Sequence, residues 1–311
     1  MDGAAAMKVR GNRIWATAAA LAAALVPTPG WAACRICNLG LDGLIPQLKE
    51  STLFLEVDLS DQNKNWSGTR QAPSSGNTDK VIRDDFFIAG GEFKFDDSWS
   101  ARIELPVTNQ TYKGDTGTAK TFQHAALGDI RLTGLYSGIL DDGSATLLFS
   151  LKLPTGDNGY PGFAIDTQIG TGSTDALVGL SYEGKLTDDE AWTWSGQISW
   201  SKPLTGMDGF TPGSQADAAF AISYNGLTLG GVRITPTLQW SGSSRTKDGG
   251  VLADPENTGC DRMLLSPGVE FALGKWALYG DVGFPVYQDM NGNQLVADRL
   301  YKLVVSYSLN G

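Results

Sequence analysis

The chain has 311 residues, a formal net charge of −10, three cysteines and a single histidine. An acidic balance of this size argues against a nucleic acid or an anionic lipid surface as partner. Three cysteines are too few for a disulfide framework in a chain this long, and any catalytic triad or His-based metal site would rest on His124 alone.

The N-terminal stretch carries Lys8, Arg10 and Arg13, then runs without charge from Ile14 to Val26, and leaves through Pro27-Thr28-Pro29-Gly30-Trp31-Ala32. A basic stretch, an apolar run and a small-residue exit make a secretory leader, so residues 1–32 are expected to be a signal peptide, with Met7 as the natural start and cleavage after Ala32. Its removal takes away three cations and Asp2, which leaves the mature chain at −12. A lipoprotein cut directly before Cys34 would carry leucine where this chain has Trp31.

Residues 33–50 follow as a separate N-terminal segment that opens on Cys34-Arg35-Ile36-Cys37. Haem attachment needs histidine where Asn38 stands. A closed zinc site needs two further ligands, and Cys260 is expected in a loop on the opposite rim. In an oxidising compartment a local Cys34–Cys37 disulfide is the expected state, with metal binding or partner contact as the alternatives. Leu41, Leu44, Ile45 and Leu48 have helical spacing behind Asp42 as N-cap, which predicts a short helix or plug at the periplasmic mouth.

From residue 51 to the end the dominant pattern is alternation with period two, the mark of strands with two different faces. In residues 192–201, Trp192, Trp194, Ile198 and Trp200 share one face, and Thr193, Ser195, Gln197, Ser199 and Ser201 the other. Strands are expected near residues 51–60, 84–95, 99–109, 128–138, 145–153, 174–184, 192–202, 216–224, 229–240, 262–273, 276–287 and 299–309. Most have the ~9–11 residues that cross a bilayer with tilt. Short turns such as Asp96-Asp97-Ser98, Asn225-Gly226 and Gly274-Lys275 alternate with long polar connections near 61–80, 110–127, 154–173, 203–215, 241–261 and 288–298. Short turns on one rim, long loops on the other and about twelve strands predict an all-β fold, an outer-membrane antiparallel β-barrel over residues 51–311. A secreted β-sandwich also alternates, but it hides its apolar faces in one core and needs no aromatic belts.

If the apolar face meets lipid, the opposite face lines the lumen. The pore-lining candidates are Arg102, Glu104, Asp129, Arg131, Lys152, Arg233, Glu270 and Asp281, with Glu56, Asp58, Glu92 and Lys302 on the same face. Two readings stand side by side: a self-satisfied network that props the barrel, and a charged constriction that selects small solutes. No nucleophile elbow of the G-x-S-x-G kind occurs, no cofactor is implied, and Asp289-Met290-Asn291-Gly292-Asn293 fits a polar turn better than a calcium loop.

The stretches "LGDIRLTGLYSG", "LKLPTGD", "IGTGSTDALVGLSY", "LLSPGVEF" and "PVYQDMNGNQLVADRLYKLVVSYSL" resemble the outer-membrane transporter-like proteins grouped with the phenol-degradation meta-pathway family. The likeness runs from about residue 127 to the end. It implies a barrel for uptake of small, often aromatic compounds. The chain departs from the pattern in ending Tyr307-Ser308-Leu309-Asn310-Gly311 rather than on an aromatic residue, and the cysteine pair is not part of it.

The expected function is a non-enzymatic channel in the outer membrane of a Gram-negative bacterium. It would pass small solutes through a mixed-charge lumen, with outer-membrane lipid and the barrel assembly machinery as partners and the N-terminus in the periplasm. The alternative is a sealed barrel that docks a periplasmic electron- or metal-handling protein through its CxxC segment. A third reading, a hydrolase, would rest on His124.

Overall fold

The computed structural model describes residues 50–115, 119–207 and 209–309. The predicted signal peptide, the Cys34–Cys37 pair and the predicted short helix lie outside them. The described chain forms β1 (Thr52–Gly68), β2 (Arg70–Gln71), β3 (Asp79–Lys94), β4 (Trp99–Asp115), β5 (Ala119–Leu127), β6 (Arg131–Tyr136) and β7 (Ala145–Lys152). It continues with β8 (Asp175–Lys185), β9 (Trp192–Pro203), β10 (Gln215–Tyr224), β11 (Leu227–Leu229), β12 (Val232–Arg245), β13 (Cys260–Leu273) and β14 (Trp276–Ser308). Two single 3-10 turns, Ser74–Gly76 and Ile165–Thr167, are the only helical features among the described residues.

Neighbouring strands pair antiparallel in the order β10-β9-β8-β7-β6-β4-β3-β1-β14-β13-β12, and β10 also pairs with β12, so the sheet closes on itself. The remaining three strands are peripheral: β2 folds back on β1, β5 on β4 and β11 on β12. The expected dozen wall strands become eleven strand elements, because residues 276–287 and 299–309 belong to one element, β14. At 33 residues it would extend ~110 Å if straight, far more than one crossing. It instead folds back: residues 276–290 pair with β13 and residues 290–308 with β1. Near the ends, the Ser308 amide donates to the Lys275 carbonyl. At the tip Gly292 takes the left-handed backbone, and a Cβ there would fall 2.1 Å from the Glu256 carbonyl oxygen; only glycine fits.

The long connections are shorter than expected, because strands continue past the membrane-length segments. β1 runs on to Gly68 through Asp61-Gln62-Asn63-Lys64-Asn65, and β4 runs on to Asp115 and pairs with β5. Both extensions are polar on both faces, so alternation does not mark them. The wall is consequently tall over β1, β3, β4, β13 and β14, and low over β6 and β7, which have 6 and 8 residues. On the tall side small apolar clusters form the core, with Ile82 against Leu295, Met290 against Val296 and Cys260, and Leu264 against Ala297 and Leu300.

Large apolar side chains cover the outside: Leu55, Phe87, Phe149, Val178, Ile198, Trp200, Leu238, Trp240, Phe271 and Leu303 are all exposed, Ile198 by 60%. A soluble protein rarely leaves such a band open to water. Near the short-turn rim, ring pairs join adjacent strand segments: Trp99 with Tyr136 at 4.7 Å, Trp192 with Tyr224 at 4.8 Å and Trp276 with Tyr307 at 4.8 Å. Aromatics at one level around a wall form the girdle that marks a membrane interface.

Ile198 sits near the middle of β9 and faces outward, so an Ile198→Arg change places a charge in hydrocarbon at a cost of about 2–4 kcal/mol. Reversible urea unfolding in lipid vesicles measures it; a variant as stable as the parent would remove the hydrocarbon from this face. Unboiled parent protein is also expected to migrate differently from boiled protein on a denaturing gel, as a closed barrel does.

Candidate functional site: the lumen and its outer mouth

Alternation turns every second residue of each wall strand inward, and register then decides which charges meet. Arg102 stands directly across from Glu92, and its Nη2 donates to Glu92 Oε2 at 2.8 Å with both side chains buried. Ser100 Oγ donates to the other carboxylate oxygen at 3.1 Å, and the guanidinium lies 5.7 Å from the Phe54 ring centre. Glu104 opposes Arg131 at 3.8 Å, and Lys152 opposes Asp175 at 2.6 Å. On β14, Lys302 opposes Asp58 and reaches Glu56 at 2.5 Å and Asp58 at 3.7 Å. Asp281, hydrogen-bonded to the Tyr279 hydroxyl, belongs to the same group. One ammonium there faces three carboxyl groups. Breaking such a buried pair costs more than its net worth, because the surviving charge is left without compensation.

The other candidates are placed differently. Glu270 is half-buried on β13, across from Thr235 and Tyr279. Arg233 is exposed at the short-turn end of β12. Asp129 was expected on a strand but lies in the connection from β5 to β6. From there its carboxylate accepts from the Gly156 amide at 2.9 Å, the Thr171 amide at 2.9 Å and Thr171 Oγ1 at 2.6 Å, with Lys152 Nζ at 3.7 Å. Asp129 thus pins the loop of residues 153–174 that joins β7 to β8. Cys34 and Cys37 lie outside the described residues, and Cys260, expected in a loop, opens β13 and is disulfide-bonded.

That loop is the part of the site that strand reasoning missed. It folds inward over the low side of the wall and buries Phe163, Thr167, Gln168 and Ile169. The fully buried Gln110 on β4 donates to the Thr167 carbonyl at 2.9 Å, and Gln168 ties the loop to itself through Tyr160 and Phe163. Gly156 and Gly170 pass so closely that a Cβ on Gly170 would lie 2.3 Å from the Gly156 carbonyl carbon. Those two glycines, in the "PTGD" and "IGTGST" stretches, are the sequence signal that a close crossing exists. His124 stacks on Tyr160 with ring centres 4.2 Å apart, and its Nε2 lies 2.7 Å from Asp157 Oδ2. The His124 contact, then the Gly159 amide, holds the Asp157 carboxyl below the usual carboxylate range.

Within the loop, both carboxylate oxygens of Asp166 are sealed from solvent, although the residue as a whole is only half-buried, and they meet no donor beyond its own amide. Burial first, then the nearby Asp248 and Asp79, raise its carboxyl well above the usual range, while Arg245 opposes this weakly. Asp248 is itself buried against Arg245 and accepts from the Gly213 amide at 2.7 Å. Asp79 accepts from the Tyr112 hydroxyl at 2.5 Å.

No family model and no curated protein matches the chain. Among solved structures it is similar to an outer membrane channel from Pseudomonas putida F1, with a TM-score of 0.65 at 12% identity, covering 86% of this chain and 97% of that one. It is similar more loosely to the β domain of the Bordetella autotransporter BrkA, with a TM-score of 0.51 at 14% identity over 84% of this chain and 100% of that one. At these identities the likeness establishes the fold.

An acid with a raised folded pKa stabilises the folded loop below its unfolded pKa, and that stabilisation is lost as pH rises through the folded value. The loop of residues 153–174 is therefore expected to become more susceptible to protease as pH rises above the ordinary carboxylate range, and Asp166→Asn to flatten that rise. Limited proteolysis across pH checks it; a pH profile unchanged by the substitution would sink the assignment.

Proposed function

We propose that the chain is an outer-membrane channel of a Gram-negative bacterium that passes small solutes. The observation that carries this reading is a closed barrel with a hydrocarbon exterior and an ion-paired polar interior, narrowed at its mouth by an infolded loop. A wall matched to lipid needs no polar lumen unless something polar occupies or crosses it. The likeness in fold to a Pseudomonas putida outer membrane channel supports the same reading. Short turns and the N-terminus then face the periplasm, and the tall wall and long loops face outward.

Arg102, Glu104, Arg131, Lys152, Glu270 and Asp281 line the passage, Arg233 stands at its periplasmic end, and Asp129 acts on it by holding the loop. Pairing across neighbouring strands keeps most of these charges close to the wall. The group of Lys302 with Glu56, Asp58 and Asp281 is where the lumen sets its preference between cations and anions. The resemblance to the phenol-degradation meta-pathway family extends this to small aromatic compounds. The stacked rings of His124 and Tyr160 at the mouth offer such compounds a first contact.

Planar-bilayer recording in a potassium chloride gradient tests the proposal. Discrete conductance is expected, and Lys302→Gln should shift the reversal potential toward the cation side. Liposome swelling with small neutral aromatic solutes gives the flux; a barrel that neither conducts nor swells would defeat the channel reading.

A further inference from the structure

Asp166 belongs to the single 3-10 turn Ile165–Thr167 in the connection from β7 to β8. Its carboxyl is within electrostatic reach of Asp79, the first residue of β3, and of Arg245 and Asp248, at and just after the end of β12. Around the wall β3 and β12 are separated by β1, both arms of β14 and β13, and β7 and β8 stand on the other arc. A group that starts from β7 and β8 and meets both has crossed the mouth. Gln110, inward on β4, holds the same turn through the Thr167 carbonyl at 2.9 Å, and Thr167 is fully buried. We propose, on the basis of the channel reading, that residues 158–169 are a proton-operated lid: they lie across the outer mouth while Asp166 carries a proton and leave it when that proton is lost.

The stem of the loop is clamped and the tip is not. Asp129 accepts from the Gly156 and Thr171 amides, the Asp157 amide donates to the Leu127 carbonyl at 3.1 Å, and the Gly170 amide donates to the Asp157 carbonyl at 2.7 Å. Residues 156–157 and 170–171 are thereby fixed to each other and to the chain joining β5 to β6. Between them the tip is tied largely to itself, Gln168 to Tyr160 and Phe163, and Thr167 Oγ1 to the Ala164 carbonyl at 3.0 Å. Such a piece moves as a unit. Beyond itself it meets Gln110, the rings of His124 and Tyr112, and the charges around Asp166.

The proton decides the sign of the last contact. A protonated carboxyl is neutral and can stay buried. Once ionised, Asp166 faces Asp248 and Asp79, and Arg245 is already committed to Asp248. The Tyr112 hydroxyl, its proton held on by burial first and then by Asp79, donates to Asp79 at 2.5 Å. Both oxygens of Asp166 find no donor among the described residues beyond its own amide. A buried charge so placed is relieved either by protonation or by exposure to water, and exposure here means that the tip lifts. The other titratable pair on the loop, His124 Nε2 with Asp157 Oδ2 at 2.7 Å, sits at the clamped stem.

The closed lid binds one proton more than the open one. The ratio of closed to open therefore falls by up to about tenfold per pH unit between the carboxyl's value in the open form and its higher value in the closed form. The lid is shut in acid and opens as pH rises above the ordinary carboxylate range.

Single-channel recording of the full-length protein in planar bilayers, from acid to mildly alkaline pH, tests the lid. The open fraction of the parent is expected to rise with pH, by up to about tenfold per unit. Asp166→Asn, which cannot ionise, should stay shut across the range. A chain whose residues 158–169 are replaced by a short Gly-Ser link should stay open across it, with heat-modifiable migration showing that each variant has closed its barrel. An Asp166→Asn protein that opens with the parent's profile assigns the response to another group, such as His124, and overturns the proposal. A pH profile that survives removal of residues 158–169 overturns it too. Hydrogen exchange over residues 158–169, corrected for the intrinsic effect of pH on exchange, reads the movement without conduction. Protection should fall with rising pH in the parent and persist in Asp166→Asn; protection that does not change with pH in the parent refutes the lid. A barrel that conducts at no pH, with or without residues 158–169, defeats the channel reading instead, and exchange then decides the movement by itself.

Discussion

Hydrocarbon offers no partner to a peptide N–H or C=O, so a strand that faces lipid must have both edges paired. The bond ladder between β10 and β12 meets that demand, since it turns an open sheet into a ring without an edge. Closure leaves each strand two unlike surroundings, and the period-two pattern follows from it. Ile198 and Trp200 point outward where Gln197 and Ser199 point inward, and a slip of one residue would exchange them.

Register carries closure into electrostatics. Arg102 lies across from Glu92, Glu104 from Arg131, Lys152 from Asp175 and Lys302 from Asp58. Each pair lies on neighbouring strands at one level, so the charges neutralise one another along the wall rather than across the lumen.

The uneven height of the wall explains the mouth. β6 and β7 end early, and the loop of residues 153–174 folds into the gap under hydrogen bonds from Gln110 and to Asp129. The loop therefore depends on two side chains outside itself, one on the tall wall and one in the β5–β6 connection. The sealed carboxyl of Asp166 couples the packing of the loop to protonation.

The membrane-length strands and their inward and outward faces were legible in the sequence, because each depends on the identity of alternate neighbours along one strand, whereas the connections expected at 110–127 and 288–298 are mostly strand. The upper parts of β1 and β4 were not legible, since Asp61 to Asn65 and Gln110-Thr111 are polar on both faces and water permits either a loop or a paired strand there. The pairing of the lumen charges was also hidden. Arg102 and Arg131 each have carboxylates on neighbouring strands, and a shift in register would choose differently. The sequence by itself determined which face of each strand could meet lipid, because transfer of side chains from water depends on their chemistry alone. Only the tertiary structure decided which charges meet and that residues 153–174 turn inward, because those outcomes depend on register and wall height, which arise when distant strands align.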